Sequence, residues 1–435
     1  MHDTIFALSS GSLPSGVAVI RVSGPRVSEV IHTLLAKPVQ PRMAALRSIR
    51  ACNGQEIDKG LVLYCPAPAS FTGEDCLEFQ VHGGRAVVNR LLHELGRFAA
   101  TRPAEAGEFT RRAFENGKID LIEAEGLSDL ISAETEMQRR LAAEHAGGGL
   151  SALYASWANR ITYARALIEA ELDFADEDDV PGSVSDRIWA DMEQLKTEIA
   201  HHLDTSKMGE IIRDGFKIAI IGPPNAGKSS LLNTLAKREI AIVTDVAGTT
   251  RDVISIDLDI GGYAVRLSDT AGIRDTDDLV EQEGVRRAHA SASEADLVLL
   301  LQDPSQGMAS RPVGPGTPVM TVNTKSDISA AALPADISIS SKTGEGIDNL
   351  VRNVREHIKA RLSVNSLAIP SRIRHVSYLK DALEFLSVAV TAKHASLDIR
   401  AEQLRLASRS LGKITGSVDV EALLDVIFSE FCVGK

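Results

Sequence analysis

Aromatic side chains are scarce in this sequence: phenylalanine, tryptophan and tyrosine make up 4 % of its 435 residues. A core with so few rings must be aliphatic and alanine-rich, which favours helices and α/β layers over an all-β sandwich. Aromatic and basic residues are not interleaved in the way that stacks on single-stranded RNA. Cysteine is equally sparse. The four, Cys52, Cys65, Cys76 and Cys432, form no C-x-x-C pair, no metal-ligand spacing and no dense disulfide pattern, so a reducing compartment is the natural setting. No run of about 20 apolar residues occurs, and the opening MHDTIFALSSGSLPSG carries neither a cationic leader nor a long apolar stretch. The expectation is a cytosolic protein. A net charge of −12 excludes a generally basic surface, while leaving room for a local basic patch. Short clusters such as RRAF and SRIRH read first as solvated helix faces.

What is present divides by texture. The length predicts roughly two to four domains. The first 118 residues mix short β-like runs (GVAVIRVSG, GLVLYCPAP, CLEFQVHGG) with turn residues and a helical pattern from about Arg85, which reads as an N-terminal α/β domain, 1–118. Residues 119–210 are rich in alanine, leucine, glutamate and arginine at helical spacing. Over 211–362 apolar strands alternate with helices: FKIAII, VISIDLDI, YAVRLSD, ADLVLLL, PVMTVN and ISISS, then a helix from about Ile347 to Leu362. That alternation predicts a mostly parallel, doubly wound sheet, with one antiparallel hairpin at Gly261-Gly262. Helical texture returns over 363–435, so the α/β module reads as an insertion in a helical domain. The fold class is therefore α/β plus α.

GPPNAGKS, residues 222 to 229, fits G-x-x-x-x-G-K-[ST] between the strand FKIAII and the helix-prone SLLNTLA. Glycines let backbone N–H groups close around phosphates, Lys228 reaches the outer phosphates, and Ser229 offers a hydroxyl to magnesium at a helix N-terminus. The loop residues Asn225, Ala226, Gly227, Lys228, Ser229 and Ser230 are the expected nucleotide contacts. In DTAG, Asp269 belongs to the magnesium shell and Gly272 to the sensing of the third phosphate, with Thr270 and Ala271 between them. TDVAGTTRD supplies a switch-loop candidate: Thr244, Asp245, Val246, Ala247, Gly248, Thr249 and Thr250. Base choice falls to TKSD, with Thr324, Lys325 and Asp327, where guanine-binding proteins usually carry N-K-x-D. The Asp327 carboxylate accepts two hydrogen bonds that guanine donates and adenine does not. Ser340, Ser341 and Lys342 resemble the S-A-K loop that backs the base, so GTP is expected ahead of ATP.

Hydrolysis needs an oriented water. Ile273 follows DTAG where many Ras-like proteins have glutamine, and an aliphatic side chain cannot hold a water. The acidic stretch RDTDDLVEQEG offers carboxylates for that task, or is a solvated switch loop. Asn225 has two readings as well: a ligand for a monovalent cation beside the phosphates, or a residue that tolerates a tight turn. The closing FCVGK leaves three for Cys432: a C-a-a-X lipid anchor, a packing residue or a reactive thiol. Gly434 and Lys435 make a poor anchor box.

The chain resembles the tRNA-modifying GTPase family MnmE/TrmE along essentially its whole length. The resemblance rests on DTIFAL, GVAVIRVSG, FTGEDCLEFQVHGG, AGEFTRRAFENGKIDLIEAEGLSDLI, GPPNAGKSSLLN, TDVAGTTRDV, DTAGIR and FSEFCVGK, in that order. It implies a cytosolic homodimer whose N-terminal domains pair and bind a tetrahydrofolate derivative at Arg21, Glu78, Lys118 and Lys435. It implies potassium at Asn225, Thr244, Val246 and Thr249, magnesium at Ser229 and Thr250, and Glu281 as the acid that orients water. The family, with the flavoprotein MnmG or GidA, installs an aminomethyl or carboxymethylaminomethyl group on the 5-position of the wobble uridine of certain tRNAs. Folate supplies the one-carbon unit, and glycine or ammonium the nitrogen. No flavin motif is visible here, so FAD is expected on the partner. FCVGK fits the family's terminal C-[IV]-G-K, which sets the lipid anchor aside and leaves Cys432 as a catalytic candidate. The competing class is a GTP-regulated RNA-binding ribosome-assembly factor, which accounts for the GTPase module but not for the first 118 residues or the tail.

Overall fold

The computed structural model describes residues 3–173, 184–238, 240–242, 255–269, 292–307, 317–328, 333–362, 366–392, 394–418, 424, 427–429 and 431–434. Two compact units result, Met1–Ser128 with Leu411–Lys435, and Asp129–Ser410.

The first unit is built on strands β1 (Thr4–Leu8), β2 (Ser15–Ser23), β3 (Ala45–Arg50), β4 (Glu56–Cys65), β5 (Cys76–Gly83) and β6 (Thr101–Pro103), in the order β3-β4-β5-β2-β1-β6. All neighbours run antiparallel except β1 and β6. Strict alternation along β2 sends Ala18, Ile20 and Val22 to one face, where α1 (Val27–Leu34) and α2 (Arg85–Leu95) bury them. The other face carries Ile5 and Ala7, covered by Phe109 of α3 (Glu108–Glu115). Helix α4 (Leu121–Ser132) begins in this unit, and Leu121 and Ala124 pack with Leu424, Ile427, Phe428 and Phe431 from the far end of the chain. The closing segment is pinned by its backbone. Gly107 N–H donates to the Cys432 carbonyl at 3.4 Å, Val433 bridges Ala106, and Ser9 Oγ donates to the Gly434 carbonyl at 2.7 Å. Gly434 has φ +99°, and a Cβ there would lie 2.1 Å from the Leu8 carbonyl oxygen, so glycine alone fits.

The second unit opens with α5 (Glu136–Ala146), α6 (Gly149–Asp173), α7 (Val184–Asp204) and α8 (Ser206–Asp214). Next come β7 (Phe216–Ile221), α9 (Lys228–Ala236), β8 (Ser255–Ile260), β9 (Tyr263–Asp269), β10 (Leu297–Gln302), β11 (Val319–Asn323), β12 (Ile337–Ser338) and α10 (Ile347–Arg361). Helices α11 (Ile373–Thr391) and α12 (Leu397–Thr415) follow, the last running on into the first unit. The sheet order is β12-β11-β10-β7-β9-β8, parallel throughout except for the β8–β9 hairpin across Gly261-Gly262. β10 is buried at every position, as a central parallel strand covered on both faces must be. Ile347, Leu350, Val354 and Ile358 recur at helical spacing on α10 and pack against Phe216, Ile218 and Leu267. No helix among the described residues is long and apolar enough to cross a membrane.

Candidate functional site

The phosphate loop leaves the C-terminal end of β7 and enters α9 at Gly227, whose φ of +90° turns the chain into the helix. A parallel strand feeding a helix N-terminus leaves the first N–H groups of α9 pointing at the loop. Lys228 is 8 % exposed and donates through Nζ to the carbonyls of Gly222 at 2.8 Å and Pro223 at 3.0 Å, so its ammonium lies over the loop. Ala226 is buried, while Asn225, Ser229 and Ser230 are exposed. Asn225 has φ +61°, a left-handed conformation that asparagine adopts more readily than most residues. Asp269 closes β9 and pairs in register with Ile220, which brings the start of DTAG beside the start of the phosphate loop.

The base-reading segments meet the same loop from the next strands. Thr324, 2 % exposed, follows β11, and a Cβ placed on Gly227 would lie 3.8 Å from its Cβ. Asp327 is exposed and accepts a hydrogen bond from Ser340 Oγ at 2.7 Å, so the two expected guanine loops are joined side chain to side chain. Thr234 of α9 donates to the Ser341 carbonyl at 3.2 Å, and Lys342 is exposed. Sequence reasoning missed Asp303, just beyond β10. It is 2 % exposed and pairs with Lys325 Nζ at 2.8 Å, while Ser305 donates to its carboxylate through N–H at 2.9 Å and through Oγ at 2.7 Å. The Lys325 ammonium and the Ser305 hydroxyl hold this carboxyl down at about 2 against the opposing effect of burial. The signal in the sequence was a polar pair, Gln302-Asp303, closing the apolar run Leu297 to Leu301.

Arg21, Glu78 and Lys118 gather in the first unit. Arg21 and Glu78 are direct cross-strand partners on β2 and β5 and form an ion pair at 2.9 Å. The guanidinium lies 5.3 Å from the Phe71 ring centroid and 5.6 Å from that of Phe109. Lys118 is exposed beside Gly73, on the loop that also carries Phe71. Glu74 of that loop accepts from Ser23 Oγ at 2.7 Å and from Arg112 at 3.0 Å, which fixes it against the sheet. The tail meets the same end of β1: Gly434 abuts Leu8, and the neighbouring Ala7 is in register with Arg21. Cys432 is exposed and fills no core position. Thr244, Asp245, Val246, Ala247, Gly248, Thr249, Thr250, Thr270, Ala271, Gly272, Glu281 and Lys435 lie outside the described residues.

Comparison with known proteins covers both units. Residues 4–118 match the family described as GTP-binding protein TrmE N-terminus, and residues 121–432 the family described as MnmE helical domain. The protein named tRNA modification GTPase MnmE of Rhizobium meliloti (strain 1021) is 58 % identical over 437 residues, covering 100 % of this chain and 99 % of its own. Its namesake from Rhizobium etli (strain CIAT 652) is 58 % identical over 436 residues with the same coverage. Among solved structures, the G domain of the T. maritima FeoB iron transporter is 24 % identical with a TM-score of 0.23, over 33 % of this chain and 98 % of that one. By its length-wide identity to these relatives, this chain belongs to the MnmE family.

Proposed function

We propose that this chain is a GTP-hydrolysing enzyme of tRNA modification. With a flavoprotein partner of the MnmG or GidA kind, it adds an aminomethyl or carboxymethylaminomethyl group to the 5-position of the wobble uridine of certain tRNAs. The observation that carries the reading is the junction of a phosphate loop at β7–α9 with Thr324 and Asp327, inside a chain whose relatives over its full length bear the name tRNA modification GTPase. Backbone N–H groups of α9 and the Lys228 ammonium receive the phosphates, and Asp327, steadied by Ser340, accepts from the guanine edge. Ser229 on the first turn of α9 and Thr250 would hold magnesium, which supplies charge neutralisation at the phosphates. Asn225 stands exposed at the rim of the loop, a placement that suits a side-chain oxygen donor to potassium together with Thr244, Val246 and Thr249. Glu281 is proposed to orient the attacking water.

In the first unit we assign the tetrahydrofolate derivative to Arg21, Glu78, Lys118 and Lys435. A cation held over two rings, beside a carboxylate, suits a ligand that has a flat heterocycle and carboxylates of its own. Cys432 is an exposed thiol of this unit, and we assign it a role at the uridine. Pairing of two copies is supported by the part of the first sheet's second face that lies away from α3, where Leu46, Leu61, Gln80 and Val19 stand in one cross-strand row. Leu46 and Leu61 are 67 % and 43 % exposed, and Val17 beside them 58 %. The domain roles follow: 1–118 for folate and pairing, 211–362 for GTP, and 119–210 with 363–435 as the helical frame.

The test is the wobble-uridine content of bulk tRNA, by nucleoside mass spectrometry, in cells deleted for the endogenous enzyme and carrying this chain. Restoration by wild type, with loss in Lys228→Ala and in Cys432→Ser, is the expected result. Failure of a folded, GTP-hydrolysing wild type to restore the modified uridine overturns the reading and moves a ribosome-assembly role ahead of it.

A further inference from the structure

The guanine loop of this chain departs from the usual pattern at its first residue, threonine in place of asparagine. The shorter side chain has less reach for tying the loop to its surroundings. The ties come instead from the end of β10. The Gln302 carbonyl accepts from Thr324 N–H at 2.9 Å and from Thr324 Oγ1 at 3.3 Å. The Gln302 side-chain amide donates to Asn323 Oδ1 at 2.8 Å and to the Pro334 carbonyl at 3.0 Å. Asp303 takes the Lys325 ammonium. Two consecutive residues therefore grip the three residues Asn323, Thr324 and Lys325 in order.

The grip matters because the loop is strained and short. Lys325 has φ +57°, a left-handed conformation that a side chain with a Cβ adopts only when its surroundings impose it. Immediately after it, Ser326 N–H donates to the Ile339 carbonyl at 3.1 Å and Ile328 N–H to the Lys325 carbonyl at 3.1 Å, so the turn that presents Asp327 starts from the position of Lys325. On its other side the loop touches Gly227 of the phosphate loop through Thr324. A carboxylate that fixes Lys325 thus sets both where Asp327 points and how closely Thr324 approaches the phosphate loop. Asp303 is suited to the task. It is buried, and its other oxygen accepts twice from Ser305, so both oxygens are aimed before any ligand arrives.

We propose that Asp303 is a positioning residue for guanine-nucleotide recognition, acting through Lys325 to hold the Thr324–Asp327 loop in its base-reading conformation. This rests on the GTP reading above. Asp303 does not touch the nucleotide in this assignment. Its removal should weaken binding without slowing the chemical step, because ground state and transition state share the same base contacts.

The experiment uses the full-length chain with Asp303→Asn, Lys325→Gln and the double variant, measuring binding of a fluorescent GDP analogue and steady-state GTP hydrolysis. In Asp303→Asn, the dissociation constant for the GDP analogue and KM for GTP should both rise about tenfold, with kcat within about twofold of wild type. Because the two residues act as one unit, the double variant should bind no more weakly than the weaker single variant. Thermal melting of each variant reports the fold. Asp303→Glu, which keeps the charge, should recover part of the affinity. Unchanged GDP-analogue affinity in folded Asp303→Asn overturns the inference, as does additivity of the two single effects, or a loss confined to kcat. A wild-type chain that does not bind the GDP analogue overturns the GTP reading and this inference with it, whereas a binding wild type with an unaffected Asp303→Asn removes the inference alone.

Discussion

Glu108 shows how single residues hold the first unit together. It begins α3 and is 11 % exposed at its side chain, yet it is charged. Arg102 donates to it through both terminal nitrogens at 2.8 and 2.7 Å, Glu105 N–H at 2.9 Å and Arg112 at 2.9 Å. Burial alone would raise this carboxyl, but those donors outweigh it and hold it at about 2. A carboxyl whose value falls on folding adds stability that is complete above its unfolded value near pH 4.5 and disappears as pH falls toward 2. Urea unfolding of wild type should therefore weaken steeply between pH 5 and pH 3, and Glu108→Gln should flatten that slope. At pH 7 the same variant should lose roughly 1–2 kcal/mol, because Arg112, 5 % exposed at its side chain, still has Glu74 and the Asp3 carbonyl as partners. Equal slopes in the two proteins would remove Glu108 from the acid response. Nothing in the string AGEFTRRAFE announces this network, since its carboxylates and arginines come together only when α3 lies on the sheet. Lys228 is the contrary case: its role follows from neighbours one to six residues away, and local spacing carries that much.

Helices and strands were legible wherever local pattern decides them. The alternation over 216–323 gave a parallel sheet with one hairpin, because a buried parallel strand reads as a continuous apolar run and β10 does so from Leu297 to Leu301, before Gln302 closes it. The start of α5 was not read, although it carries a signature. Thr135 and Gln138 form a capping box, in which Gln138 Oε1 accepts from Thr135 N–H at 3.1 Å. The same glutamine donates through Nε2 to the Arg213 carbonyl at 2.9 Å, just before β7. One residue earlier, Met137 N–H donates to the Gly262 carbonyl at the hairpin turn at 2.9 Å. The first turn of α5 thereby sends one backbone donor to the hairpin and one side-chain donor to the last turn of α8, just before β7. Gln138→Ala should cost about 1–2 kcal/mol in chemical denaturation, since it removes half of the box and leaves the Arg213 carbonyl without that donor. Hydrogen exchange at the amides of 135–138 should accelerate with it. A change below about 0.5 kcal/mol would mean that water replaces the glutamine at no loss.

Across the whole molecule, the sequence places 363–435 with 119–210 in a helical domain interrupted by an inserted module. The observed units group Leu411–Lys435 with Met1–Ser128. Its contacts, Phe428 and Phe431 against Phe114 and Leu121, join residues some three hundred positions apart, a pairing that periodicity carries no information about. The same is true of the open sheet face. Alternation along β3 and β4 marks no apolar side, since Leu46 shares its side with Ser48 and Arg50, and only the sheet order reveals that Leu46, Leu61 and Val19 align on a side that α1 and α2 do not cover. Exposed apolar rows of this kind carry a cost in water that a second copy removes, and an antiparallel sheet face is self-complementary under a two-fold axis. Placing a charge in the row turns that argument into a measurement. Light scattering coupled to size exclusion at micromolar concentration should give a dimer for wild type and a monomer for Leu61→Asp, because a buried unpaired carboxylate costs several kcal/mol at an interface and nothing in water. The substitution sits at a solvent-exposed strand position, so melting of the monomer should remain cooperative. A wild type that is monomeric at that concentration, or a Leu61→Asp variant that stays dimeric, would move the pairing surface away from this sheet.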